Sequence, residues 1–474
     1  MPFADRRGGV LLHPTSLPGG RLGPAAYQFV DFLAAAGITV WQTLPLNPPR
    51  QTGSPYDCLS SHGLDPALAD PEWLVRRGWI EPGTQATPDA MRRAWQGLRR
   101  TGATDREGFD RFVTERAHWL DDFALFSALR ESRQTGWWLW PPTLRDRSHS
   151  GLAKAVTRQG QRLDEIRFEQ FVVYSQWLEL KAYANRRGVL LFGDMPIYVA
   201  RDSADVWSRP DLFKLDDKAE PTVVAGVPPD YFAAQGQRWG NPVYRWSAHE
   251  AEQFAWWRAR LATAMELFDL MRIDHFRGFE ACWEIPAGEP TARNGQWVAA
   301  PGDALLRALR EAFPKLSLVA ENLGVITASV ETLRRRYSLP GMVVLQFGFD
   351  GDAANPHLPH NHDPLSVVYS GTHDNDTALG WFSSLDTTVR DHVLDYLGRS
   401  TEPMPWPLIR AALGSVARLA MLPLQDLLAL GSEARMNVPG ETEGNWSWRY
   451  QAEALTPELA DRLRHLVALY GRTV

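Results

Sequence analysis

Eight short runs of aliphatic and β-branched residues punctuate the chain: GVLLHPTS (9–16), ITVWQTLPL (38–46), GVLLFGDMPIYV (188–199), LMRIDHF (270–276), LSLVAENLG (316–324), MVVLQFGFD (342–350), SVVYSGTHDND (366–376) and LAMLPLQDLL (419–428). Most are near-continuous apolar stretches rather than strict alternations, the pattern of parallel strands covered on both faces. Between most of them the apolar positions recur at helical spacing, as in AAYQFVDFLAAAG (25–37), HEAEQFAWWRARLATAMELFD (249–269), GDALLRALREAF (302–313) and TASVETLRRRYS (327–338). Several of these segments open near a polar residue or Pro and close near Gly or a basic residue. Strands alternating with helices predict an α/β fold, a (β/α)8 TIM barrel.

Such a barrel takes about 250 residues, so a chain of 474 residues carries large insertions. The pattern predicts one barrel domain over 1–474. One insertion, about 47–188, is mostly helical, and a second, about 200–248, is rich in Pro, Gly and aromatics and reads as a loop over the barrel mouth. The tail TPELADRLRHLVALYGR (456–472) is helical and leaves no room for a C-terminal β-sandwich domain.

The polar residues fall at the ends of the predicted strands: His13, Thr15 and Ser16; Asp194; Arg272, Asp274 and His275; Glu321 and Asn322; His373, Asp374, Asn375 and Asp376; Gln425 and Asp426. Barrels place their active sites at those C-terminal ends. In MRIDHFRGF (271–279), the period of two puts Met271 and Ile273 on one face and Arg272 and Asp274 on the other. With the apolar pair turned to the surrounding helices, the charged pair points to the barrel mouth. Three carboxylates, Asp274, Glu321 and Asp374, then converge in one cleft. That set admits two chemistries, a hard-cation site of oxygen ligands and acid/base with nucleophilic work on a glycosidic bond. Under the second, Arg272 lowers the pKa of its carboxylate partner, and Glu321, as the acid, is the more desolvated of the two carboxyls.

Composition narrows the partners. The net charge of -6 and pI near 6.1 give no sign of a nucleic-acid or membrane partner. Two cysteines, Cys58 and Cys282, make neither a metal-spaced pair nor a disulfide framework. No leader-like apolar stretch opens the chain, and no run approaches the roughly 18 apolar residues of a membrane span, so a cytoplasmic protein is expected. The 20 Trp, as many as Phe, raise the odds of a carbohydrate ligand, because flat aromatic faces suit sugar rings; most are expected in the core.

The ordered set LLHPTSLPG, WQTLPL, SPY, GDMPIYV, GQRWGNP, MRIDHFRGF, AENLG, GTHDND and RMNVPG…NWSWR resembles the amylomaltase family, the 4-α-glucanotransferases or disproportionating enzymes of the α-amylase superfamily, from about residue 9 to 449. The resemblance implies that Asp274 is the nucleophile, Glu321 the acid/base and Asp374 the transition-state-stabilising carboxylate. It implies that Arg272 orients the nucleophile and that His373 and Asp194 hold the sugar beside the scissile bond. Ser54, Tyr56, Tyr231, Gln237, Trp239, Phe347 and Asn437 match glucan-contacting positions. The implied partners are α-1,4-glucans and malto-oligosaccharides, and no cofactor or metal is implied. The chain departs from the family pattern after SPY, where it reads DCLSSHGLDP (57–66), and in GGRLGPAAY after the first strand; both concern distant subsites. An α-1,4-glucan hydrolase with the same carboxylates is the alternative reading, differing only in whether water or a sugar hydroxyl attacks the intermediate. A non-catalytic glucan-binding barrel is disfavoured by the presence of all three carboxylates.

Overall fold

The computed structural model describes residues 3–50, 52–85, 87–229, 234–441 and 443–473. Eight parallel strands follow the predicted runs: β1 (Arg7–Leu11), β2 (Val40–Gln42), β3 (Leu190–Pro196), β4 (Leu270–Asp274), β5 (Leu318–Ala320), β6 (Gly341–Val344), β7 (Ser366–Tyr369) and β8 (Leu419–Pro423). Their order is β6-β7-β8-β1-β2-β3-β4-β5. The ring is drawn together between β5 and β6, where the Ala320 N–H donates to the Pro340 carbonyl at 2.9 Å. The Met342 N–H donates to Asn322 Oδ1 at 2.7 Å. Gly341 makes room for that bond, since a Cβ there would lie 2.9 Å from the Asn322 amide.

The barrel interior changes character along its axis. Val40, Phe192, Leu270, Val319, Val367, Leu419 and Met421 form a buried apolar plug. Beside it, the buried Tyr369 hydroxyl donates to Gln42 Oε1 at 2.9 Å. Higher still, register pairs Asp194 with Arg272 and Pro196 with Asp274. Met271 and Ile273 pack outward into the main core with the helices, while Leu270 packs in the interior plug. Period two along β4 therefore delivers Arg272 and Asp274 to the mouth, as the sequence pattern requires.

Between β2 and β3 the chain is helical, dominated by Ala103–Arg133 and His149–Arg186, which pack on each other. Two buried glutamines of the second helix act as peptide mimics. Gln170 accepts from the Leu64 N–H and donates to its carbonyl, each at 2.8 Å. Gln176 does the same at Asp70, at 2.8 and 3.1 Å. Ser61 is tied by its N–H to Asp205 Oδ2 at 2.8 Å. The DCLSSHGLDP segment is thus held down, and with it the chain that follows Tyr56.

Two predicted elements differ. The 200–248 segment is not simply a loop: it contains Val223–Val227 and Gln237–Pro242, which join Ala281–Pro286 and Gln296–Ala299 in a four-stranded antiparallel sheet. The Gly and Pro that read as loop residues are tolerated because Gln237–Pro242 is an edge strand beside an irregular register at Val224–Gly226. The 249–269 helix is two helices, Trp246–Ala251 and Ala255–Leu267. Gln253 and Phe254 between them take left-handed backbone, at φ 54° and 56°; neither is a glycine, so no breaker appears in the sequence.

Near the chain's end, Arg472 closes the opposite end of the barrel. Its fully buried guanidinium donates to the carbonyls of Leu413 (2.7 Å), Arg7 (2.9 Å) and Ser415 (2.9 Å). Burial pushes its pKa down to about 9. Arg472→Met removes these buried bonds, while Arg6 Nη2 still donates to the Leu413 and Ser415 carbonyls, and is expected to lower the unfolding free energy by about 1–3 kcal/mol. Urea unfolding checks this: the midpoint should fall with the slope unchanged, and an unmoved midpoint contradicts it.

Candidate active site

Arg272 stands at the centre of the mouth. Its Nη1 meets both oxygens of Asp194, at 2.8 and 2.7 Å, and its Nη2 meets Asp274 Oδ1 at 2.9 Å. The Asp194 side chain is only 1% exposed. Its Oδ2 also accepts from the Tyr56 hydroxyl at 2.7 Å, so Asp194 is engaged by Arg272 and Tyr56. Burial works against the Arg272 charge, but Asp194 and Asp274 more than offset it and hold the guanidinium well above its usual pKa. Burial raises the Tyr56 hydroxyl, and the Asp194 carboxylate adds to it.

Glu321, directly after β5, is laced to the residues flanking Asp274. Its N–H donates to the Ile273 carbonyl at 3.0 Å, and its own carbonyl accepts from the Phe276 N–H at 3.1 Å. Its carboxyl accepts from the His275 N–H and the Leu323 N–H, both at 2.7 Å. His275 reaches it because its backbone is left-handed, φ 53°, turning the chain immediately after the strand. The relative placement of Asp274 and Glu321 is therefore set by main chain, not by flexible side chains.

Glu321 is buried and Asp274 half-buried, in the order expected for an acid and its partner. The expected net lowering at Asp274 does not occur. Burial raises its pKa to about 8, with Arg272 pulling it down and Asp194, Glu321 and Asp374 pushing it up. Burial is the largest cause, and Arg272 is shared with Asp194, whose charge adds to the rise together with those of Glu321 and Asp374. Burial likewise raises Glu321, opposed by Arg272 and its two backbone donors. Asp274 and Glu321 thus form a pair that retains a proton more readily than two free carboxyls.

Asp374, in the irregular segment after β7, approaches from the other side. Its Oδ1 accepts from the Asn437 amide at 2.6 Å, and its Oδ2 lies 3.3 Å from His373 Nε2. Burial lowers the His373 pKa against the pull of Asp374, and burial pushes His275 down to about 3, so both rings are neutral at pH 7. The His373 ring stacks on Tyr56 at 5.2 Å, and Trp446 packs against both.

Of the sequence-assigned positions, Asp274, Glu321, Arg272, Asp194, Tyr56, His373, Asp374 and Asn437 form this one connected cluster. Ser54 supports it through its Oγ, which accepts from the Tyr56 N–H at 3.3 Å. Gln237, Trp239 and Phe347 stand outside the hydrogen-bonded core and are exposed. Trp239 donates to Gln237 Oε1 at 3.1 Å and packs edge-on against His275 at 4.7 Å. Phe347 packs against His357. Tyr231 lies outside the described residues. Sequence reasoning missed the His275 and Leu323 main-chain donors and the role of Trp446, since a backbone N–H carries no residue-type signal. Of the 20 Trp, Trp41, Trp137, Trp177, Trp207 and Trp257 are fully buried, the packing role expected for most of them. Among the described residues, no group of three or more His, Cys, Asp or Glu is disposed to hold a metal ion.

Comparison with known proteins agrees with this geometry. The family model described as 4-alpha-glucanotransferase matches residues 12–456. The chain is 47% identical to the 4-alpha-glucanotransferase of Thermus thermophilus, covering 96% of this chain and 97% of that protein. It is 45% identical to that of Synechocystis, covering 99% of each. Its fold superposes on the amylomaltase from Streptococcus agalactiae in complex with acarbose with a TM-score of 0.95, at 34% identity, over 99% of this chain and 100% of that one. With its eight-stranded barrel and clustered carboxylates, the chain belongs to the 4-alpha-glucanotransferase family, as its amylomaltase-like motifs imply.

Proposed function

We propose that this glucan-transferring enzyme moves segments of α-1,4-glucans and malto-oligosaccharides between chains by double displacement at Asp274. The observation that carries this is the lacing of Glu321 to both neighbours of Asp274, which fixes two carboxyls at one cleft while Arg272 engages only one of them. The pair shares a proton. Double displacement requires that proton on the more buried Glu321 and the charge on Asp274, whose ionised form Arg272 at 2.9 Å favours.

In the first step Asp274 Oδ attacks the anomeric carbon, the bond to the bridging oxygen breaks, and Glu321 gives its proton to that oxygen. A glycosyl ester on Asp274 and a shortened glucan result. In the second step the 4-hydroxyl of an acceptor glucan loses its proton to the Glu321 carboxylate and attacks the same carbon, expelling Asp274. Two displacements retain the α configuration. Asp374, braced by Asn437 and His373, accepts hydrogen bonds from sugar hydroxyls as the ring flattens. Arg272 holds Asp274, and Asp194 holds Arg272. Tyr56, Trp239 and Phe347 offer aromatic faces to the glucan, and the family resemblance assigns further glucan contacts to Ser54, Gln237 and Tyr231. The Streptococcus agalactiae amylomaltase was solved in complex with acarbose, which is consistent with this substrate class.

Isotopically labelled glucose added with maltotriose should enter the reducing end of longer maltodextrins; absence of label from all oligosaccharides contradicts transfer. Asp274→Asn and Glu321→Gln should each lower kcat at least about 10³-fold with the protein still folded, and full activity in either rejects its role. The pH dependence of kcat/KM should be bell-shaped, with activity lost below the lower step, where both carboxyls are protonated, and above the upper step, where neither is. Replacing Arg272 by Met removes a positive charge that favours ionised Asp274, so the acid limb should move to higher pH. The same change strands the buried Asp194 carboxylate and should cost about 3–5 kcal/mol of stability. An unmoved or lowered acid limb contradicts the assignment.

A further inference from the structure

Asp374 is held from outside the Arg272–Asp194–Asp274 cluster, by Asn437 and His373. It lies beyond β7 on a short turn in which Asn375 Oδ1 accepts from the Thr372 N–H and hydroxyl, at 2.9 and 2.8 Å. Its aim depends on a different part of the chain, the arm after β8 that carries Arg435, Met436 and Asn437. Arg435 Nη2 donates to the Asp374 carbonyl at 2.6 Å, and its Nε donates to the Asn437 carbonyl at 2.8 Å. The Asn437 amide in turn donates to Asp374 Oδ1 at 2.6 Å. The three bonds close a ring: guanidinium to the Asp374 main chain, guanidinium to the Asn437 main chain, Asn437 side chain to Asp374 side chain. Arg435 also forms part of the wall of a cleft that it shares with His373, Asn375 and Asp376.

We infer that Arg435 is a positioning residue for the transfer reaction, fixing the angle at which Asn437 meets the Asp374 carboxylate by bridging the main chains of both; this rests on the reading of Asp374 given above. Its planar fork suits the task. Two N–H groups at a fixed angle hold two carbonyls in one relative orientation, whereas a Lys ammonium on a flexible stem cannot enforce that angle. Without the bridge the arm and the β7 turn are free to shift, and the Asp374 Oδ2 beside His373 loses its register with the sugar. Displacements of about 1 Å at such groups cost on the order of 100-fold in rate.

The test is a set of variants assayed on maltotriose, with rates normalised to folded protein. Arg435→Met and Arg435→Lys should each lower kcat and kcat/KM together by about 10- to 100-fold, with KM little changed, because the lost interaction serves the transition state. Asn437→Ala should lose activity by the same route, so the Arg435→Met/Asn437→Ala double variant should be no worse than about the larger single loss. Arg435 variants with wild-type kcat overturn the inference, as does a double variant whose loss is the product of the single losses. Should Arg435→Met not fold, the Lys variant, which keeps the stem and the charge, decides alone. Asp374→Asn separates the two levels. If it is active, the role given to Asp374 fails. If it is inactive while the Arg435 variants are unimpaired, only the inference about Arg435 fails.

Discussion

One buried guanidinium holds the mouth of this barrel together. A cation at the level of Arg272 would be costly to bury alone, and so would the Asp194 carboxylate beside it. Together, with the Tyr56 hydroxyl donating to Asp194 as well, the two charges are partnered, and the Arg272 Nη2 is presented to Asp274. The arrangement has a chemical consequence. Four carboxylates around one positive charge leave the cleft short of cations, so it resists losing its last proton. Arg272 contacts Asp274 directly, whereas the Glu321 carboxyl is held by the His275 and Leu323 N–H groups.

The rest of the fold arranges for this imbalance to stay in place. The buried apolar plug fills the lower barrel beneath Arg272. Adjacent parallel strands put Asp194, Arg272 and Asp274 on the inner face of the ring in register. The backbone lacing between β4 and β5 locks Glu321 relative to Asp274 without a flexible side chain in between. The insertions act at one remove. The long helical segment pins residues 61–70 behind Tyr56, and the arm after β8 brings Asn437 and Trp446 to the far side. Each of the three carboxylates is thus held by a different kind of constraint, a guanidinium for Asp274, main-chain donors for Glu321 and a returning arm for Asp374.

The barrel was legible because its signals are strong and local. Eight apolar runs too short for helices recur between amphipathic segments, and all eight are strands. The polar residues at their ends were legible for the same reason, since the pleat leaves few places for a charge in MRIDHF to go. The antiparallel sheet above the mouth was not legible, because Gln237–Pro242 carries Gly240 and ends in Pro242, which a central strand would forbid but an edge strand accepts. The break at Gln253 and Phe254 was hidden because neither residue type marks a left-handed turn. The net rise at Asp274 was hidden too. A sequence shows that Arg272 is near Asp274 and offers Asp194 as a structural partner for it, but not how deeply the carboxyl is buried. The fine placement of Glu321 rests on backbone donors, which every residue but proline possesses.

Whether the glycosyl group leaves Asp274 for a sugar hydroxyl or for water can be read in a single time course. Purified enzyme is incubated with maltotriose alone, and products and total reducing ends are followed together over time. Transfer predicts glucose plus a ladder of longer maltodextrins with the number of reducing ends constant. Reducing ends that rise in step with consumption, with only shorter products, would mean that water is the acceptor and would contradict the account.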